Sequence, residues 1–408
     1  MNLLFAWRYF RAKKSTNAIN IIAWVSMSAI VIGAAALIIV LSVFNGFEDL
    51  VKSLYTSFYP DLKLTPATGK VLTLTPEQLN RLRAVNGVRV LSCVVEEQAV
   101  LMNGNNPPNS PVLKGVDSNF IKVSGVANNI DRGSFDVGTA DRPLAVLGSG
   151  VDYALGIDPE KAVEPLDVYL FRKNAPEYPV DPEASYTHSA MATAGEFRIQ
   201  EDFDDHYVIT NLDYVKQMMG LGPNEYGAVE LAVDDPKQVA VIKQDILRVL
   251  GGGYKVQTRY EQNQSLYNVM GTEKWVTYFL LTLILAVAAF NMVGALTMLV
   301  WDKQKDIHVL KALGASNRRI RRIFLSEGLL LALMGGLTGI LLAVLICVLQ
   351  LKYKLIPLEG GSFLLDYYPV KMVPADFGLV FLTVLLVALL ASWLPARKAA
   401  ATPIELKS

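Results

Sequence analysis

Few residues in this chain are spaced for chemistry. Glu201, Asp202, Asp204, Asp205 and His206 crowd four carboxylates and an imidazole together, a set that could hold a divalent cation. The spacing and central glycine of an EF-hand loop are missing, and a solvated turn accounts for the cluster better. His188, His206 and His308 fall in three separate contexts and match neither a metal-binding spacing nor a nucleophilic triad. No G-x-x-x-x-G-K-[ST] run occurs, so a phosphate-cradling ATPase loop is absent from this sequence. Cys93 and Cys347 lie in unlike segments and read as free buried thiols rather than a disulfide. The chain is not expected to be an enzyme, and neither a metal nor a cofactor is expected on it. Its 38 basic and 38 acidic residues give no reason to expect a nucleic-acid partner.

With so little chemistry on offer, the elements that would position it carry the information. The chain is 52% hydrophobic and 19% charged, too apolar for an average soluble globule. Four runs contain no Asp, Glu, Lys or Arg: Ser15–Phe47, Trp275–Trp301, Gly328–Leu351 and Phe377–Ala396. Each reaches the roughly 20 residues that a helix needs to cross a bilayer. The first is too long for a signal-peptide core and has room to project beyond the bilayer. Arg8, Arg11, Lys13 and Lys14 precede it, seven basic residues fill 303–322, and Arg397, Lys398 and Lys407 follow the last run. The positive-inside rule then places both termini and that connection in the cytoplasm. The expected fold class is a four-helix membrane protein with a large α+β extracytoplasmic domain. Its segments are an amphipathic helix 1–14 on the membrane surface, spans 15–47, 273–301, 323–351 and 377–396, an outer domain 48–272, a cytoplasmic loop 302–322, an outer loop 352–376 and a tail 397–408.

The outer segment alternates strand and helix signals. Strands are expected over Asp61–Thr65, Val88–Met102, Pro111–Val116, Pro143–Leu147, Leu166–Phe171, Glu196–Ile199, Tyr207–Thr210, Ala228–Val233 and Tyr254–Thr258. Thr75-Pro76-Glu77-Gln78 opens a helix to about Ala84 with a capping box and a first-turn proline. Gly150–Leu155 and Pro236–Leu250 read as helices, and 260–272 as a helix running on into the second span. The first and last strands are expected to share a sheet, with the middle as a second subdomain and Arg172–Ala194 as a polar, proline-rich loop. Within the spans, Gly335 and Gly339 form a small-xxx-small pair and Asn291 reads as an interhelical hydrogen-bond partner.

The run from Asp302 to Ser316 is the most informative. Ile307, Leu310 and Leu313 recur at helical spacing on a short charged segment, Gly314 can terminate it, and Ser316 can cap the next helix. Such a helix either presents an apolar ridge to a cytoplasmic partner or rests on the lipid headgroups.

DIHVLKALGASNRRIRRIFLSEG resembles the cytoplasmic loop of the FtsX-like permease family. LSVFNGFEDLV, AFNMVGALTMLVWDKQKDI and WLPARKAAATPIEL narrow the resemblance to the lipoprotein-releasing ABC permeases of LolC/LolE type, with weaker matches in LKGVD and VLGSGVDYALGI. The resemblance implies an inner-membrane permease subunit that extracts lipoproteins and hands them to a periplasmic carrier. It would assemble with an identical or homologous second permease and with two copies of an ATPase that binds ATP and Mg. Asp306, Ile307, Val309, Leu310, Lys311, Leu313 and Gly314 would then form the coupling helix. Val40, Leu41, Val43, Phe44, Phe47 and Met292 would line a cavity for acyl chains, and Asn174, Pro176, Tyr178 and Pro179 would sit on a carrier-docking loop. This chain departs from the family where FRIQEDFDDHYVIT follows that loop. Rival readings are an FtsX-like transenvelope signalling subunit and a MacB-like efflux permease.

Overall fold

The computed structural model describes residues 17–104, 106–157, 165–173, 185–358 and 367–401. It divides into two compact units, one built on residues 51–267 and one on the apolar helices. The expected surface helix at 1–14, the residues Asn174, Pro176, Tyr178 and Pro179, and the tail beyond 401 lie outside the described residues.

Helix α1 (Asn17–Phe58) does not stop at residue 47. Glu48, Asp49 and Lys52 end the charge-free run but are tolerated in a helix, so charge marks where an apolar run ends and not where the helix does. Leu54, Tyr55 and Phe58 in its last turns are buried.

The 51–267 unit holds β1 (Leu62–Pro66), β2 (Leu72–Thr73), α2 (Pro76–Arg83), β3 (Val88–Met102), β4 (Val112–Val116), β5 (Ile130–Gly133), β6 (Leu144–Gly148), β7 (Leu166–Phe171), β8 (Tyr186–Phe197), β9 (Tyr207–Asn211), α3 (Leu212–Met219), β10 (Glu225–Tyr226), β11 (Ala228–Val233), α4 (Val239–Leu250) and β12 (Tyr254–Thr258), besides shorter helical turns. Thr75 and Gln78 close the anticipated capping box on α2. The main sheet runs β12-β1-β11-β3-β4-β9-β6-β8-β5, with β7 pairing both β3 and β8. The first and last strands do share a sheet. The middle region, however, is no separate subdomain: β9 joins β4 in parallel, from Val112 opposite Tyr207 to Val116 opposite Asn211. The pairings β3-β4-β9-β6-β8-β7-β3 close into a ring. Strand β8 also occupies Tyr186–Ala194, where a loop was expected. Its pairing with β7 over Leu166–Phe171 supplies the order that local composition did not announce.

Every residue of β11 is buried, as in strands covered on both faces. Its Glu230 faces Lys114 of β4 at 2.6 Å, and Lys114 also meets Glu96 of β3 at 3.0 Å. Lys63 of β1 reaches the other Glu96 oxygen at 2.8 Å. The Lys114 ammonium lies 5.1 Å from the ring centres of both Phe58 and Phe120. Burial alone would raise the Glu96 carboxyl, yet Lys114 and Lys63 hold it down at about 2.

The second unit contains the α1 residues up to Leu50, α5 (Gln264–Asp302) from Asn268 onward, α6 (Gln304–Ala312), α7 (Asn317–Tyr353) and α8 (Pro374–Ala401). Among the described residues, four helices are long and apolar enough to cross a membrane. As expected, 264–272 runs unbroken into the second of these, whereas 260–263 does not. A capped turn at Arg259–Gln262 ends at Asn263, whose φ of −124° and ψ of 33° break the helix before α5 begins. Gly335 and Gly339 of α7 lie against α1, where a Cβ at Gly339 would come 2.6 Å from the Val31 carbonyl oxygen. Close backbone approach of this kind is what small residues permit in a membrane bundle.

Candidate functional site

Two places on the helical unit combine exposed apolar surface with organised polar contacts. At the first, α6 folds as a capped amphipathic helix. Gly314 has φ +86°. Its N–H donates to the Lys311 carbonyl, and Ala315 N–H donates to the Leu310 carbonyl, both at 2.9 Å. This double closure is the Schellman motif, which a left-handed glycine allows. Ser316 then caps α7 by accepting from Arg319 N–H.

The apolar stripe expected on α6 faces the other way. Ile307 is 1% exposed and, with half-buried Leu310, packs toward Ile320, Ile323 and Phe324 of α7. Lys311 is likewise engaged within the unit, donating to the Ala400 carbonyl of α8 at 2.9 Å. Val309 and Leu313 are 59% and 79% exposed. At i and i+4 they share one side of the helix. Asp306 lies a turn before them, 3.6 Å from Lys303. The ridge open to a partner is therefore Val309–Leu313. Periodicity identifies an amphipathic helix but cannot say which apolar pair its own bundle consumes.

At the second place, Phe44 of α1 and Asn268, Val269, Thr272, Glu273, Val276 and Thr277 of α5 line a groove of about 600 Å³. Of the six residues expected to form an acyl cavity, only Phe44 lines it. Leu41 and Met292 are 2% and 0% exposed and belong to the bundle core. Val40 and Val43 are half-buried, and the half-buried Phe47 ring meets Tyr368 edge-on at 5.7 Å. Asn291, expected to bond between helices, is exposed.

Beside the groove lies a polar clasp that sequence reasoning missed. Asn45, 5% exposed, accepts from Lys274 Nζ of α5 at 2.6 Å and donates to Asp376 of α8 at 2.6 Å. Gly46 lets the 369–371 backbone lie flat on α1, since a Cβ there would collide with the Pro369 carbonyl. Lys371 N–H donates to the Ser42 carbonyl at 2.9 Å, and its ammonium pairs with Asp49. The one available signal was an Asn-Gly pair inside an apolar helical run.

On the 51–267 unit Glu201, Asp202, Asp205 and His206 of the acidic cluster are exposed, as expected of a solvated turn, and Asp204 is the exception. Asp202 accepts from Tyr55 Oη at 2.9 Å. Asp204 is buried and accepts from Ile199 N–H at 2.9 Å; burial pushes its carboxyl up to about 6. Among the described residues no His, Cys, Asp and Glu group is arranged to hold a metal. Both thiols are free and buried, and burial pushes Cys93 to about 12. The strands flanking 174–184 form a regular ladder, with Tyr169 stacked on His188 at 4.7 Å.

Residues 23–249 match the MacB-like periplasmic core domain, and residues 278–404 match the FtsX-like permease C-terminal model. The lipoprotein-releasing system transmembrane protein LolE of Haemophilus influenzae is 27% identical over 97% of this chain and 96% of its own length. Two proteins named lipoprotein-releasing system transmembrane protein LolC are also similar. The one from Neisseria meningitidis is 26% identical over 98% of this chain and 97% of its own, and the one from Xylella fastidiosa is 24% identical over 98% and 96%.

Proposed function

Because this chain belongs to the MacB-like periplasmic core domain family and also carries an FtsX-like permease segment, we propose that it is the membrane subunit of an ABC transporter that releases lipoproteins from the inner membrane. End-to-end similarity to proteins of the lipoprotein-releasing system carries this reading. ATP hydrolysis belongs to a separate partner, which holds ATP and Mg, and a second permease subunit, identical or homologous, completes the assembly. Both termini and α6 face the cytoplasm, and the 51–267 unit faces the periplasm, where it meets a lipoprotein carrier.

In this scheme α6 is the contact for the ATPase. A rigid ridge is what such a contact requires, and the glycine closure, the buried Ile307 and the Lys311 bond to Ala400 fix the helix on its bundle. Val309 and Leu313 supply the apolar side chains that a partner can cover. Acyl chains leaving the bilayer need an apolar surface, since each buried methylene is worth about 0.8 kcal/mol. The Phe44 groove offers one, with Val269 and Val276 opposite.

The test is Val309→Asp with Leu313→Asp. Both side chains are exposed, so the chain should remain folded while ATPase binding and lipoprotein release fall at least tenfold, the cost of about 1.4 kcal/mol of lost contact. Normal ATPase binding and release by a folded double variant would refute the α6 assignment.

A further inference from the structure

We propose that Asn45 is a positioning residue that sets the width of the Phe44 groove, acting through Lys274. The inference builds on the acyl-groove reading above.

The two walls of the groove come from α1 and α5. Phe44 and Asn45 are adjacent on α1, and Glu273 and Lys274 are adjacent on α5. Thus the residue after each wall residue reaches across to the other helix, and the two meet at 2.6 Å. The bond ties one wall directly to the other.

A carboxamide suits this place because it accepts and donates at the same time. The Asn45 oxygen faces an ammonium and its nitrogen a carboxylate, so both bonds are charge-assisted. The Asp376 bond and the Gly46 contact with 369–371 hold Asn45 to α8 and its leading segment. The Lys274 bond instead spans the groove walls. It can therefore break and reform as α5 moves while Asn45 stays seated. A single hydrogen bond is weak enough for an entering amphiphile to displace and strong enough to keep the empty groove narrow.

The experiment uses the full chain in phosphatidylcholine nanodiscs, with Phe44→Cys reporting on the groove. An alkyl maleimide labels the thiol at position 44, against the background of the buried native thiols in the otherwise unaltered chain. Lys274→Met should raise the labelling rate about tenfold, as loss of one charge-assisted bond would. Asn45→Ala, which also loses the Asp376 bond, should raise it at least as much, and the double variant should label no faster than Asn45→Ala alone, because the bond between Asn45 and Lys274 is already gone. Lys274→Arg, which still offers a donor to the Asn45 oxygen, should return the rate toward that of the parent. Labelling of both single variants at the parental rate overturns the proposal. So do effects that multiply in the double variant, which would mean independent loosening of two helices. Should Lys274→Met not be recovered folded, Asn45→Ala compared with Asn45→Gln carries the same test, the glutamine keeping both halves of the amide. Neither ATPase nor lipoprotein is present, so failure here is separable from failure of the transport reading, which release assays decide.

Discussion

The Lys114 network and the Asn45 clasp are both buried polar bridges between neighbouring elements, yet they are built on opposite terms. Lys114 is 1% exposed and meets two carboxylates, one of them fully buried. Removing Lys114 strands the Glu230 charge away from water, which is expensive. Asn45 is neutral, and of the charged groups it meets Lys274 is only half-buried, so water can replace a lost bond there. The first arrangement fixes strand register for the life of the fold; the second can be undone at modest cost. Burial of the charge itself, more than the number of bonds, separates a permanent joint from a releasable one.

Three measurements can break or sharpen that contrast. The largest effect is expected from Lys114→Met, which leaves Glu230 buried without its cation. Full-length protein should lose about 3–5 kcal/mol of stability in the sheet unit by denaturant unfolding, and Lys114→Met with Glu230→Leu should recover much of it. A loss below about 1 kcal/mol would place the network on a par with the clasp. Next comes Gly339→Leu, which forces a side chain onto the α1 backbone; overpacking of this sort costs about 1–3 kcal/mol, seen as a lower thermal transition of the helical unit in detergent. The smallest and most specific is a pH effect. The Glu96 carboxyl is held at about 2, below its ordinary 4.5. A depressed carboxyl contributes stability above its unfolded pKa and loses it as pH falls through the folded one. Stability should therefore decline from about pH 4.5 toward pH 2, and Glu96→Gln should flatten that slope.

Much of the local structure was legible in the residues themselves. The capping box at Thr75 and Gln78, the β-branched run of β3 and the four charge-free stretches each depend on neighbours in sequence, and all appear in the fold. The helix α3 was missed, although Asn211 caps its start and Gly220, at φ +70°, closes its end. What stayed hidden depends on partners far along the chain. The parallel seam between β4 and β9 joins residues that nothing local connects. Strand β8 took a stretch whose composition reads as loop, because β7 and β6 pair with it. At α6 the period of three to four residues was visible, but which apolar side chains face inward was decided by Ile320 and Phe324 on the following helix. The clasp was hidden for a similar reason: an Asn-Gly pair signals a special backbone approach without naming the segment that approaches.

The ring of strand pairings carries a mechanical consequence. Strands β7 and β8 flank the 174–184 segment, and both are members of the ring. A tug applied there cannot peel away one strand at a time, as it would from the border of an open sheet. The load divides between the ladder to β3 and the ladder to β6, and both must slip together. Anything pulling on these strands would meet a stiff post rather than a flap.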